Sequence, residues 1–260
     1  MRPSLWCGGT TLLRLRPAAV LAFRPGWMGG QVVFQQKPCQ APRLRRPEMD
    51  FLVITFDEKK KQCMEEMGAD LGAIYSDLND HLVDILLLWA QFEDLFGVDD
   101  ETVQVLNRSA STFFGIVQAQ FLDAVMLGIS RLTDARENRS QQNLSIQAIS
   151  PLVSDLKVRR QLNKTVDAAL SNTKFARDHR NKRIAHSDLV HAQGRSAKPL
   201  PAASRQKIKD GLDSICAVLE VLNGHYRQSE FAYDMLSYGG GAASVVSLLR
   251  DGLKHQECET

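Results

Sequence analysis

An apolar seam from Leu71 to Phe96 constrains this chain more than any other feature. Leu71, Tyr75, Leu78, Leu82, Ile85, Trp89, Phe92 and Phe96 recur at alternating spacings of four and three. That repeat keeps side chains on one face of an α-helix. Ile74, Leu86, Leu88 and Leu95 widen the seam into a face that can cover a core. The spacing predicts one long helix closed by Gly97 in the C′ position.

The helical pattern continues downstream. Asp99 or Asp100 can cap a second helix carrying Leu106, Ala110, Phe113, Val117, Phe121, Ala124 and Leu127 and ending near Asp134. The polar stretch 136–143 reads as a loop. Ser150-Pro151 supplies an N-cap and a first-turn proline for a third helix with Leu152, Leu156, Leu162, Val166 and Leu170. Residues 187–203, with Gly194, Pro199 and Pro201, form a polar connector. Ile208, Leu212, Ile215, Leu219, Leu222 and Tyr226 make a second four–three seam. Val245, Val246, Leu248, Leu249 and Leu253 follow Gly239-Gly240-Gly241 as a short amphipathic helix. The segment 51–56 is locally β-like but has no partner. The expected fold is all-α, an antiparallel bundle of four long helices plus a short C-terminal helix over residues 57–255, with 256–260 a disordered tail.

Charge separates the two ends of the chain. Residues 1–47 hold seven Arg, one Lys and no acid, a charge of +8, so with +2 overall the remainder carries −6. Residues 1–56 show no sustained period and are expected to be a disordered, non-catalytic extension. An Arg-rich transit peptide is one reading. A start placed too early, with Met49 or Met64 as the true first residue, is the other. Five unclustered cysteines (Cys7, Cys39, Cys63, Cys216, Cys258) argue against a disulfide framework and place the chain in a reducing, cytoplasmic compartment. Ile85 to Phe92 is read as the most apolar window and is too short to span a bilayer, so no membrane is expected.

Against this acidic body, Lys174, Arg177, Arg180, Lys182 and Arg183 fall within ten positions, together with His179 and His186. Dense positive charge attracts phosphate and histidine moves protons near neutrality, which points to a nucleotide or RNA. The spacing Arg-x(4–6)-His has no weight alone. With twenty Arg and six His, chance supplies about one or two matches, and Arg250 to His255 is a second one. On a continuous helix Arg180 and His186 lie about 120° apart. They converge only if the helix ends or bends between them, or if a second subunit contributes. The competing reading is a solvated basic face favoured by the dipole at a helix C-terminus. Arg131 and Asp134, three apart, are either a shell supporting the basic site or an intrahelical ion pair. Asp188 either orients His186 or caps a turn. His179, His186 and His191 have spacings that fit no zinc pattern, and no metal or other cofactor is expected.

The string Arg180-Asn181-Lys182-Arg183-Ile184-Ala185-His186 resembles the signature of the HEPN superfamily, all-helical proteins that include metal-independent ribonucleases. Leu71-Gly72-Ala73-Ile74-Tyr75, Ser130-Arg131-Leu132-Thr133-Asp134 and Gly239-Gly240-Gly241 are similar to its abortive-infection (AbiU-type) branch. The resemblance covers about residues 60–255. It implies a homodimer that cuts RNA in phage or stress defence, with an antitoxin or other defence-system partner. In that scheme Arg180, Asn181 and His186 are catalytic. Arg180 holds the scissile phosphate, His186 is general base or acid, and Asn181 positions one of them. Arg177, His179, Lys182, Arg183 and Arg131 then bind RNA phosphate, with Asp134 and Asp188 in support. The alternative is a non-catalytic module that binds nucleotide, RNA or a partner protein.

Overall fold

The computed structural model describes residues 55–138, 141–184, 203–228, 233 and 240–259. The basic extension, the β-like residues 51–54 and the connector 187–202 therefore lie outside the described residues. The helical unit begins at Thr55, two positions before the expected boundary. Thr55 caps α1 (Phe56–Met67) reciprocally: its hydroxyl accepts from the Glu58 amide at 3.3 Å, and the Glu58 carboxylate accepts from the Thr55 amide at 2.8 Å. Those hydrogen bonds hold the Glu58 carboxyl below its ordinary range.

The apolar seam is not one uninterrupted helix with what precedes it. At Gly68 the backbone turns to φ 92°, ψ 154°, a conformation open to glycine, and α2 (Ala69–Phe96) starts in a new direction. α1 folds back along α2, tied by Lys59–Asp80 and by Lys60–Asp77 at 2.7 Å. The crossing is made at Gly72, where a Cβ would sit 2.2 Å from the Cys63 carbonyl oxygen. Gly97 ends α2, but in the right-handed region (φ −111°), with its amide bonded to the Glu93 carbonyl. It is a cap residue and not the left-handed C′ glycine that was expected.

Asp99 caps α3 (Asp100–Leu132), its carboxylate accepting from the Thr102 amide at 2.7 Å. The helix is broken at Ala110 (φ −162°, ψ 70°), a break that the apolar periodicity conceals. Next to it the Ser109 hydroxyl donates to the Val105 carbonyl at 2.8 Å, the back-bonding that loosens and bends helices. Beyond the break α3 packs antiparallel to α2: Phe114 shares a cluster with Leu95, and Gly128 meets Ile85. α3 contains a longer apolar window than the 85–92 one, with mean hydropathy 1.5 over eighteen residues. By length and composition it is the described helix able to cross a bilayer. Here it packs in the bundle, against α2, α5 and α7.

The polar loop after α3 contains a two-stranded ribbon, β1 (Glu137–Asn138) with β2 (Gln141–Gln142), where no strand was expected. Ser150-Pro151 forms a 3₁₀ turn. The next helix, α4 (Leu156–Asn172), starts five residues later than Pro151 suggests, because Asp155 takes the cap. α5 (Lys174–His179) runs into a π turn, Arg180–Ile184. α6 (Arg205–Leu222) carries the second seam and ends in another π turn, Asn223–Arg227. α7 (Ala242–Glu259) is longer than expected and extends helix through most of the supposed tail.

Apart from the four-residue ribbon the described chain is all-α. α6 lies antiparallel to α2: the Tyr75 hydroxyl donates to Asn223 at 2.6 Å near one end, and Arg205 donates to the Gly97 carbonyl at 2.8 Å at the other. Between α2, α3, α4 and α6 lies one core containing Leu78, Leu82, Ile129, Leu162, Leu212 and Leu219. Tyr75 is buried in it, and burial pushes its phenol up in pKa.

Two glycine substitutions should act with opposite sign. Gly72→Ala must separate α1 from α2 and is expected to cost about 1–3 kcal/mol. Gly115→Ala places its Cβ in open space on α3 and should stabilise by about 0.5–1 kcal/mol. Urea melts with unchanged m-values measure both, and equal effects would contradict the packing at Gly72.

Candidate functional site

The last turn of α3, the loop after it and the α5–π junction enclose an open polar cleft of about 640 Å³. Thr133, Asp134, Glu137, Gln147, Arg177, Arg180 and Asn181 line it, with Leu170 from the end of α4. Three local features place these groups. α3 stops at Leu132, where the buried Thr133 hydroxyl bonds back to the Ile129 carbonyl at 2.8 Å. The following loop is held by Gln147, whose side-chain amide donates to the carbonyls of Thr133 and Asp134 at 3.2 and 2.8 Å. Asn143 donates to the Ala135 carbonyl at 2.8 Å. The third feature is the change from α to π hydrogen bonding at Arg180. It widens the turn there, and such turns recur at functional sites.

Arg177 joins the two sides. Its Nη1 donates to the Thr133 hydroxyl at 2.8 Å and to the Thr173 hydroxyl at 2.9 Å, and Nη2 donates to the Leu170 carbonyl at 2.5 Å. Burial draws its guanidinium below the ordinary arginine range, against the pull of Asp134 and Asp178. Those hydrogen bonds make Arg177 a tie between α3 and the α4–α5 corner.

Arg180 stands one turn further on. Its Nη1 meets both carboxylate oxygens of Asp134 at 2.5 Å, and its Nε donates to the Asn181 side-chain oxygen at 3.1 Å. Both members of the ion pair are about one quarter exposed. The guanidinium is therefore held by an internal anion in a cleft open to solvent. That is the place a phosphate oxygen would occupy on exchange with the carboxylate.

The structure thus brings together Arg177, Arg180, Asn181 and Asp134. An intrahelical Arg131–Asp134 pair does not form, because Asp134 lies beyond the end of α3 and turns to Arg180. Arg131 is exposed and outside the cleft lining. Lys182 and His179 are half-buried and also outside the lining. Lys174 pairs with Asp178 at 3.1 Å along its own helix. His186, Asp188 and the side chain of Arg183 lie outside the described residues. Thr133, Gln147 and Asn143 escape sequence reasoning. Thr133 sits inside a recognisable motif, but Gln147 and Asn143 lie in a loop with no period to mark them.

The sequence model of the HEPN_AbiU2 family, described as AbiU2, matches residues 68–243, a span that contains the whole cleft. No curated protein and no solved structure matches the chain.

The ion pair and the tie are separable by experiment. A double-mutant cycle on Arg180→Ala and Asp134→Ala should show a coupling of about 1 kcal/mol or more in urea melts. Arg177→Ala, which strands two hydroxyls and a carbonyl, should cost about 1–3 kcal/mol by itself. A coupling of zero would mean that Arg180 and Asp134 do not hold each other in solution.

Proposed function

This chain belongs to the AbiU2 family of HEPN-like, abortive-infection domains, and from that premise we propose that its cleft binds an RNA phosphate at Arg180 and cuts the strand without metal. The observation that carries the proposal is the half-buried Arg180–Asp134 pair in an open polar cleft, with Asn181 beside it. A scissile phosphate displaces the Asp134 carboxylate and takes up the planar donors of Arg180, which then stabilise the charge growing on the phosphorane. His186 accepts the proton of the ribose 2′-hydroxyl as that oxygen attacks phosphorus. The P–O5′ bond breaks and the leaving oxygen is protonated, giving a 2′,3′-cyclic phosphate and a 5′-hydroxyl.

The π turn begins at Arg180, and hydrogen bonding one residue longer turns the chain less per residue than an α-helix. That change of pitch does not by itself bring His186 toward Arg180, so its approach in this proposal relies on an end or bend of the helix after the turn, on a second subunit, or on both. A homodimer acting on RNA in the cytoplasm during phage or stress defence, held in check by an antitoxin or other defence-system partner, completes the proposal. Light scattering reads the dimer directly.

A second reading is favoured by the same ion pair: with its charge matched by Asp134, Arg180 can serve a module that binds RNA and does not cut it. One experiment divides the two. Purified protein is incubated with total RNA in EDTA, as wild type, His186→Ala and Arg180→Ala. Catalysis predicts a loss of about 10²–10⁴-fold in cleavage for each variant with helical circular dichroism unchanged. Equal cleavage by wild type and His186→Ala would sink the catalytic assignment. Salt-sensitive binding without cleavage in any of the three would establish the second reading.

A further inference from the structure

α4 carries cations where the physics of an isolated helix disfavours them. Lys157, Arg159 and Arg160 take three of its first five positions and Lys164 follows, against a single acid, Asp167. The N-terminal end of a helix dipole is positive, so cations in the first turns cost stability, and acids belong there. No acid stands in the first turn; the Asp155 cap alone offsets the dipole.

The pairing of these side chains sets them apart. Elsewhere in the described residues, cations are commonly matched with acids: Lys59 with Asp80, Lys60 with Asp77, Lys209 with Asp213, Arg227 with Glu66, Arg108 with Glu257. Arg159 turns back to the Val153 carbonyl. Lys157, Arg160 and Lys164 are exposed and, among the described residues, make no ion pair. At about 100° per residue they fall within roughly 60° of arc, one stripe along the helix. Asp167 lies near the same arc one turn on and leaves the stripe with a net charge of +2.

The end of α4 reaches the cleft, roughly a third of a turn round the helix from the stripe. Leu170, in the last turn of α4, lines it, and the Leu170 carbonyl is held by Arg177. With about 1.5 Å per residue, Lys164 stands about 9 Å and Lys157 about 20 Å along the axis from Leu170. Those distances suit phosphates spaced along one extended strand. A cleft of about 640 Å³ has the dimensions of a small-ligand site.

We infer that the outer face of α4 is a track for single-stranded RNA, with Lys157, Arg160 and Lys164 holding backbone phosphates on one side of the bond presented at Arg180. The inference rests on the cleft being the cleavage site, and extends it to the substrate: an unpaired strand at least several nucleotides long. The stability lost to cations at the start of α4 is then offset by counterion release when the strand binds.

The test uses the full chain and a labelled 20-nucleotide single-stranded RNA with every 2′-hydroxyl methylated, so that binding is read without cleavage. Fluorescence anisotropy over a salt series compares wild type with K157E/R160E/K164E and with the matched reversal K61E/K207E/K254E on α1, α6 and α7. The track predicts at least tenfold weaker binding for the α4 variant, with the log–log salt slope shallower by about 2, and little change for the matched control. Equal weakening in both triples, or none in the α4 triple, overturns it. A duplex of the same sequence competing as well as the single strand also overturns it. Unmethylated RNA keeps the two proposals distinguishable. Loss of binding in the α4 triple while wild type cleaves nothing removes the catalytic reading and leaves the track standing. Normal binding by the α4 triple with intact cleavage does the reverse.

Discussion

The position of everything in the cleft depends on the Arg177 guanidinium. It bonds the hydroxyl that terminates α3, the hydroxyl at the corner between α4 and α5, and a carbonyl of the last turn of α4. The end of α3, 44 residues away in the chain, is thereby joined to the α4–α5 corner. Remove it, and the end of α3, which carries Asp134, loses its tie to the corner from which Arg180 projects, leaving the Gln147 bonds and the ion pair to hold that loop. A lysine could supply the charge but not the two separated nitrogens that reach all three acceptors. In this protein the arginine that ties the fold stands one turn from the arginine that we propose holds a phosphate.

The recognisable motifs acquire physical reasons in this arrangement. Gly72 is small because the backbone of α1 passes against it, and Tyr75 reaches through the core to Asn223 near the far end of α6. Ser130 and Thr133 are buried at the end of α3, and Asp134 emerges from that end into the cleft. The motif near α2 thus sets the packing of the bundle, and the motif ending α3 sets where one wall of the cleft stands.

The helices themselves were legible because core-facing side chains must repeat with the helical period, and the seams at 71–96 and 208–222 are nearly uninterrupted. Boundaries set by backbone conformation were not. The break at Gly68 leaves no gap in the apolar pattern, and the step at Ala110 falls on a small residue that suits a helix. Asp155, and not Ser150, caps α4, a choice made by which side chain finds free amides. Of the cleft, Arg177, Arg180, Asn181 and Asp134 stood out by charge and motif. Thr133, Gln147 and Asn143 did not, since a neutral side chain bonded to a carbonyl leaves no periodic trace.

Taken alone, the sequence determined that this chain is an all-helical bundle with a concentrated positive charge near residue 180, because apolar period and charge are properties of residues along a line. Only the tertiary structure decided how those charges divide. It gave Arg177 to the fold, paired Lys174 with Asp178 and Arg180 with Asp134, and left Lys157, Arg160 and Lys164 on the face of α4 without an ion pair among the described residues. The reason is that a partner is chosen by distance in space, and an acid 46 residues away in the chain is the nearest one to Arg180.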